Sequence, residues 1–365
     1  MHTTPDECAQ VAVPERRANN RPQWARRGRR AWAASAVAAL CAVVALSTGQ
    51  PPGIASSKAP PAAPQRQESA TRAYVVNNGG PAGTDNSVSV IDTNTNAVIA
   101  TIPVGHGPEG VAADPTRARV YVTNSGASSV SVINTNTNTV IATIPVGTSP
   151  IGVAVDPTRA RAYVANHDDH SVSVINTDTN AVTTTISGIS NPRMVAVDPT
   201  RARVEVGGDS VWVINTNTNR VTGSVSDVPI YWGLAEDPTR AHAYVTHIQF
   251  DTMSVIDTKA NTVTARLHTG SAPSGVAVDP TRARAYVANN GGGFGNTVSV
   301  LDTENMVNIT TITVGHRPVG VAVDPTRARA YVANSDGRVS VINTLTNSVI
   351  ATIPVGAFPR GIALV

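Results

Sequence analysis

The chain has 365 residues, and its 28 Lys and Arg against 25 Asp and Glu give a formal net charge of +3. Residues 1–70 hold eight Arg and one Lys against four acids, whereas residues 71–365 hold 18 Arg and one Lys against 21 acids, so the overall charge does not indicate a nucleic-acid partner. Both cysteines, Cys8 and Cys41, lie in the first part, which excludes disulfides, a cysteine nucleophile and cysteine–metal sites after residue 70.

Residues 1–47 have the pattern of an export signal or a membrane anchor. Arginines up to Arg30 precede an apolar run at 31–46, which is short for a transmembrane helix of ~20 residues. A basic flank, a short apolar stretch and small residues are typical of a signal cleaved after Ser47 or Ala59, and Arg29-Arg30 loosely resembles a twin-arginine signal. We therefore expect a periplasmic, secreted or cell-surface protein, anchored by residues 31–46 if they are retained. The Pro- and Ala-rich residues 48–70 predict a linker.

The rest of the chain, 71–365, is built from one repeat. The phrase Asp-Pro-Thr-Arg-Ala recurs at spacings of 42, 42, 39, 42 and 45 residues, beginning at Asp114, Asp156, Asp198, Asp237, Asp279 and Asp324. A Tyr-Val pair follows five of these copies, at Tyr121, Tyr163, Tyr244, Tyr286 and Tyr331. Glu205 takes the tyrosine position in the fourth unit, and Tyr74 adds a seventh unit. Repeats of this length indicate an array of one supersecondary unit.

Each unit contains four short β patterns separated by turn formers. Examples are residues 152–156, 162–166, 171–175 and 140–144, which are rich in Val, Ile, Thr and Tyr. Four strands in about 42 residues predict a propeller blade. The first unit begins at its second strand, near 73–77, and residues 361–365 form an unpartnered first strand. Pairing these two strands closes the ring, so we predict an all-β, seven-bladed propeller of four-stranded blades.

The Tyr-Val-x-Asn signature, as in Tyr121-Val-Thr-Asn124 and Tyr163-Val-Ala-Asn166, resembles the YVTN-repeat β-propeller family of bacterial and archaeal surface and periplasmic proteins. The resemblance covers roughly 71–365 and implies the propeller fold, with the first strand of each blade lining a central channel. Members of that family are implicated in surface-layer adhesion, and one periplasmic branch in single-stranded DNA binding. The chain departs from the pattern at Glu205 and in its Thr-Arg-Ala-Arg turns, where relatives often carry Gly.

One position just before the predicted channel strand varies strongly between units. Its occupants are Glu109, Ile151, Arg193, Trp232, Ser274, Val319 and Arg360. A mixed ring of this kind at the channel mouth fits a small ligand or a peptide, although the same residues could simply fill the channel. The candidate ligand-binding residues are His106, Glu109, Arg193, Trp232, His316, Arg317 and Arg360.

The opposite rim should carry the Thr-Arg-Ala-Arg turns. They contribute Arg117, Arg119, Arg159, Arg161, Arg201, Arg203, Arg240, Arg282, Arg284, Arg327 and Arg329. These arginines could bind single-stranded DNA or another polyanion. Alternatively, each could pair with the aspartate of its own or a neighbouring turn. The absence of exposed aromatic residues in this repeat counts against single-stranded DNA.

The sequence carries no recognisable catalytic motif. His167-Asp168-Asp169-His170 has ligands suited to Zn²⁺ or Ca²⁺, but four solvated polar residues are common in a short turn, so we expect no metal and no cofactor. Channel-mouth catalysis would use irregular residues such as Glu109, Tyr231, His247 and His316. We expect instead a non-catalytic, monomeric binding scaffold at the cell envelope for a protein, peptide or polymer. Polyanion binding and a channel-mouth lyase or lactonase are the alternatives.

Overall fold

The structure is a computed structural model that describes residues 71–228 and 232–365. The export signal, the anchor, the linker and Tyr231 lie outside the described residues. Among the described residues, no helix has the length and apolar character needed to cross a bilayer.

The described residues form 28 strands in seven antiparallel sheets of four. Blade 1 contains β1 (Arg72–Asn77), β2 (Ser87–Asp92) and β3 (Ala97–Pro103); blade 2 contains β4 (Pro108–Asp114), β5 (Arg119–Asn124), β6 (Ser129–Asn134) and β7 (Thr139–Pro145). Blade 3 contains β8 (Pro150–Asp156), β9 (Arg161–Asn166), β10 (Ser171–Asn176) and β11 (Ala181–Ser187); blade 4 contains β12 (Met194–Asp198), β13 (Arg203–Gly207), β14 (Val211–Asn215) and β15 (Arg220–Val225).

Blade 5 contains β16 (Gly233–Asp237), β17 (His242–His247), β18 (Thr252–Asp257) and β19 (Thr262–His268). Blade 6 contains β20 (Pro273–Asp279), β21 (Arg284–Asn289), β22 (Thr297–Asp302) and β23 (Val307–Thr313), and blade 7 contains β24 (Pro318–Asp324), β25 (Arg329–Asn334), β26 (Arg338–Asn343) and β27 (Ser348–Pro354). The last strand, β28 (Pro359–Leu364), belongs to blade 1. Three single-turn 3₁₀ helices lie in loops, at Gly80–Ala82, Ser125–Ala127 and Gly291–Gly293.

The predicted ring closure is confirmed. Strand β28 pairs antiparallel with β1, with Ala73 opposite Leu364 and Val75 opposite Ile362. The first strands of the seven blades contact one another in a closed circle around the channel. Six of the seven blades are therefore contiguous in sequence, and blade 1 joins the two ends of the propeller.

Local sequence explains the turns between strands. In the Asp-Pro-Thr-Arg-Ala turn, the buried Asp156 carboxylate accepts hydrogen bonds from the backbone N–H groups of Thr158 (3.0 Å) and Arg159 (3.1 Å). In the Asn-rich turn, Asn134 accepts in the same way from Asn136 (2.8 Å) and Thr137. Both are turns in which a short polar side chain caps its own backbone.

The core lies between the blades. Seven clusters of buried side chains fill the seven seams between adjacent blades in the described part of the chain. The second strands supply the largest buried groups, which are Tyr74, Tyr121, Tyr163, Tyr244, Tyr286 and Tyr331. The Tyr-Val signature is thus the inter-blade packing layer.

Candidate functional site at the channel mouth

The variable position of the repeat lies at one end of the channel, as the sequence predicts. A cavity of about 220 Å³ opens there. Six of the seven variable side chains line it: Glu109, Ile151, Arg193, Trp232, Val319 and Arg360. The seventh, Ser274, is buried, and its hydroxyl donates to the Pro318 carbonyl at 3.0 Å. The variable residue lies inside the first strand, not before it, in the blades whose first strand begins at a proline. In blade 3, for example, the strand begins at Pro150 and includes Ile151. An irregularity in the strand register between Pro150 and Val153 extends the pairing to Pro150.

A collar of glycines brings the inner strands together just inside the mouth. The glycine after the variable residue occurs in six blades, as Gly110, Gly152, Gly233, Gly275, Gly320 and Gly361. A Cβ on Gly152 would collide with the Arg193 carbonyl of the next blade, and the other five meet the matching carbonyl in the same way. Only glycine permits this approach of backbone to backbone. The signal for this collar in the sequence is the Val-Gly-x-x-Pro-x-Gly spacing, as at 104–110.

The charged groups of the mouth are arranged around Trp232. The Arg193 guanidinium lies 5.1 Å from the centre of the Trp232 ring, within the range of a cation–π contact. Arg360 approaches Glu109 with 3.9 Å between Nε and Oε2, which is an ion pair but too long for a hydrogen bond. Within the part of the chain that the structure describes, the buried Nε of Arg360 has no hydrogen-bond partner.

Glu109 is the acidic side chain that lines the cavity of about 220 Å³. Its Oε1 accepts a hydrogen bond from the Asn78 side-chain amide at 3.1 Å. Burial raises the pKa of Glu109 above its usual value of 4.5, and the positive charges of Arg360 and Arg193 offset only part of that effect. A carboxyl of this kind can hold a proton in a cleft at a pH where a solvated carboxyl is ionised.

A second space of about 270 Å³ lies at the same mouth, lined partly by Glu109, Arg193, Trp232 and Arg360. Its further lining residues are Ser125, Ser149, Ile151, His167 and Asp168. His167 and Asp168, which the sequence offers only as candidate metal ligands, therefore line the mouth beside the predicted ligand site.

The His167–His170 loop uses its side chains to join loops. Asp169 accepts from the backbone N–H of Thr148 (2.6 Å), Asp168 accepts from the Ser149 hydroxyl (2.5 Å), and His170 Nδ1 accepts from the backbone N–H of Asn191 (3.1 Å). Among the described residues, no group of three or more His, Cys, Asp or Glu is arranged to hold a metal ion. The loop thus fixes the rim of the mouth.

Three of the predicted ligand-binding residues lie outside both spaces. His106 and His316 are exposed and Arg317 is half-buried, and none of the three lines either space. The His106 ring packs over Gly126, and the backbone N–H of His316 donates to Asp336 at 3.0 Å. These residues lie in the loops that precede the inner strands, close in sequence to the variable position, but the cavity walls do not include them.

On the opposite rim, the first arginine of each Thr-Arg-Ala-Arg turn pairs with the aspartate of its own turn. The six pairs have N–O distances of 2.7–3.2 Å and are Arg117–Asp114, Arg159–Asp156, Arg201–Asp198, Arg240–Asp237, Arg282–Asp279 and Arg327–Asp324. Five of these arginines also donate to the proline carbonyl of the next blade's turn, as Arg159 does to Pro199 at 3.0 Å. The internal pairing considered from the sequence is therefore present in all six turns.

The second arginine of the turn joins neighbouring blades. Arg119 donates to the Thr177 carbonyl, Arg161 to that of Thr216, Arg203 to that of Thr258, and Arg329 to that of Thr93. Each acceptor lies in the turn between the third and fourth strands of the next blade. Arg284 occupies the same position in blade 6, and its Nη1 is buried without a partner among the described residues. Four of these second arginines therefore bond adjacent blades to each other.

Comparison with known proteins identifies the fold and no closer relationship. No protein-family model matches the chain, and no curated protein does. Among solved structures, hydrazine synthase from Kuenenia stuttgartiensis superposes with a TM-score of 0.63 at 24% identity, over 71% of this chain and 89% of that one. A protein of unknown function from Desulfotomaculum acetoxidans gives 0.69 at 15% identity, over 80% and 98%. Dihydro-heme d1 dehydrogenase NirN, in complex with DHE, gives 0.59 at 15%, over 78% and 63%.

Proposed function

We propose that the chain is a non-catalytic binding protein of the cell envelope that takes a small carboxylate-bearing ligand, such as the C-terminal end of a peptide, at the channel mouth. The observation that carries this proposal is the convergence of Arg193, Trp232 and Arg360 on one cavity beside a carboxyl of raised pKa. The export signal predicted from the sequence supports the location in the envelope.

The charge of the site favours an anion. Two guanidinium groups face one carboxyl, and protonation of Glu109 removes the negative charge that opposes an anionic ligand. The Nε of Arg360 is ion-paired with Glu109 but has no hydrogen-bond partner among the described residues, so it is a buried donor available to an incoming oxygen. Arginine binds carboxylates through paired N–H groups, and such charge-assisted bonds are stronger than neutral ones.

The size and lining of the site favour a small ligand with an apolar part. Each of the two spaces at the mouth, about 220 Å³ and about 270 Å³, is below the ~300–1,000 Å³ of pockets that enclose drug-sized molecules. The Trp232 ring and the Ile151 and Val319 side chains supply apolar surface next to the arginines. An amino-acid-sized group that ends in a carboxylate fits both the volume and the lining.

A channel-mouth enzyme is the second candidate, because two of the three neighbours are named as enzymes and Glu109 has the raised pKa of a general acid. Neither of the histidines considered for catalysis, His247 and His316, lines the cavity. Polyanion binding at the opposite rim stays an alternative, but the first arginines there are paired with aspartates and expose only 21–28% of their side chains.

The proposal is tested by calorimetric titration of the protein with a panel of N-acetylated dipeptides, each as the free acid and as the C-terminal amide. We expect members of the panel to bind as acids and at least about tenfold more weakly as amides, because an amide loses the charge-assisted bonds to arginine, which contribute ~1.5–3 kcal/mol each. Arg360→Gln should weaken binding of the acid by a similar factor.

The matched control is Arg338→Gln, which removes an arginine that begins β26 and does not line the cavity. This variant should bind like the unmodified protein. Equal affinity for acids and amides, or an Arg338→Gln loss as large as that of Arg360→Gln, would contradict the proposal. Turnover of any probe that disappears in Glu109→Gln would favour the enzyme instead.

A further inference from the structure

In six of the seven seams between blades, side chains from the same two positions of the repeat pack together. The tyrosine of each second strand lies in the same apolar cluster as one residue of the next blade's inner strand. The pairs are Tyr74 with Ala113, Tyr121 with Val155, Tyr163 with Val197, Tyr244 with Val278, Tyr286 with Val323, and Tyr331 with Leu364. At the seam of blades 4 and 5, both members differ: Glu205 stands in the tyrosine position and Glu236 in the position of its partner.

The two carboxyl groups are short of donors. Glu205 is 1% exposed, and its Oε1 accepts a hydrogen bond from Arg203 Nε. Its Oε2 and both oxygens of Glu236 are buried without a hydrogen-bond partner among the described residues. Two carboxylates cannot bond to each other, because both only accept, but one carboxylic acid can donate to one carboxylate. A single proton would therefore satisfy oxygens on both sides of the seam.

The surroundings favour that proton. Burial, together with the adjacent carboxyl of Glu205 and its negative charge, raises the pKa of Glu236 far above 4.5. Arg203 is the cation that opposes this shift, and Asp198 adds to it. Other titratable groups lie close to Glu236. On the paired strand β17, His242 and Tyr244 flank Ala243, the residue opposite Glu236. The next residue in the chain, Asp237, is ion-paired with Arg240.

We propose that Glu205 and Glu236 share one proton, and that this proton closes the seam between blades 4 and 5. When it leaves, two buried carboxylates, of which Glu205 is bonded to Arg203, repel each other across the seam, and the ring loosens there. The seam is then a pH-sensitive joint in a ring whose other six seams are held by tyrosine and aliphatic packing. This inference is independent of what the channel mouth binds.

The direction of the pH effect follows from proton linkage. Glu236 in the folded protein keeps a proton that it loses in the unfolded chain above pH 4.5. Folding therefore takes up a proton, and stability is complete below 4.5 and is lost as the pH rises toward the folded pKa. For one proton, the folding equilibrium constant falls by up to about tenfold per pH unit.

The experiment is urea denaturation of the full chain at pH 5, 6, 7 and 8, compared with Glu236→Gln. Glutamine keeps a donor for Glu205 but does not ionise. The ratio of the unfolding constants, unmodified protein over variant, should rise by up to about tenfold per pH unit. A ratio that stays constant from pH 5 to 8 would overturn the proposal, whatever the stability of the variant at any one pH.

Two further measurements keep the test decisive. The double variant Glu205→Tyr/Glu236→Val restores the pair of the other seams and should lose the same pH-dependent component. If neither variant folds, hydrogen exchange of the unmodified protein decides. At each pH, the amide exchange rates in β13 and β16 are divided by those in the equivalent strands β5 and β8. This ratio of rates should increase as the pH rises. A relative rate that does not change with pH would reject the shared proton.

Discussion

Glu109 shows how one side chain combines a structural and a chemical role. Its hydrogen bond from Asn78 and its ion pair with Arg360 hold it in the wall of the mouth, while burial keeps its pKa high. Neither arginine neutralises it fully, since the Arg360 contact is 3.9 Å and the Arg193 guanidinium is engaged with Trp232.

Ligand affinity should therefore depend on pH through Glu109. Below its raised pKa the carboxyl is neutral, and an anionic ligand meets two positive charges; above it, the carboxylate repels the ligand. We expect affinity for a dipeptide acid to fall as the pH rises from 4.5 through that pKa, and Glu109→Gln to remove the fall. Calorimetric titrations of both proteins across pH 5–8 measure the affinity for the dipeptide acid. If the affinities of the two proteins changed with pH in parallel, Glu109 would not be the source of the pH dependence.

The turns between first and second strands contain an unfavourable backbone conformation. Their alanines, at Ala118, Ala160, Ala202, Ala241, Ala283 and Ala328, all have φ between +49° and +56°. This left-handed region is costly for residues with a Cβ, by roughly 1–2 kcal/mol each. Glycine is the residue that this backbone conformation favours.

Replacing Ala160 by Gly should therefore stabilise the protein. We expect a gain of about 0.5–1 kcal/mol, because the relieved strain exceeds the added freedom of the unfolded chain. The matched control is Ala165→Gly, in the interior of β9, where the alanine is fully buried. That change should destabilise by roughly 1 kcal/mol or more. Urea denaturation of both variants decides, and a loss of stability in Ala160→Gly would refute the strain argument.

The ring as a whole depends on one closing strand. Strand β28 completes blade 1, contributes the buried Ile362 to the seam of blades 7 and 1, and positions Arg360 at the mouth. Without it, β1 would present an unpaired edge, and the inner circle of strands would have a gap. Closure thus links the stability of the propeller to the integrity of its candidate site.

Deleting residues 359–365 should lower the melting temperature strongly and lead to self-association through the exposed edge of β1. Calorimetry and size-exclusion chromatography measure the two effects. The control is a circular permutant in which the linker Pro-Thr-Arg-Ala joins Val365 to Arg72. The backbones of these two residues already exchange hydrogen bonds of 2.9 and 3.0 Å, so the linker spans a short gap. It should fold as a monomer. A truncated protein as stable as the full chain would show that closure by β28 is dispensable.

The sequence alone determined the repeat, the four strands of each blade and the strand that closes the ring. These follow from local rules, because alternating β-branched residues and the Asp-Pro-Thr and Asn-rich turns act within a few residues of each other. The same comparison of units also identified the variable position that lines the mouth. The family resemblance predicted the fold correctly, but no family model supports the membership.

Only the tertiary structure decided which side chains meet. Ser274 shares the variable position with Arg360 yet turns away from the cavity, and His167 and Asp168 reach the mouth from another loop. The rim arginines bind the aspartates of their own turns and carbonyls of the next blade, which spacing alone left open. Glu205 and Glu236 meet because adjacent blades pack side by side. Such contacts depend on the circular arrangement of blades, and no local pattern encodes that geometry.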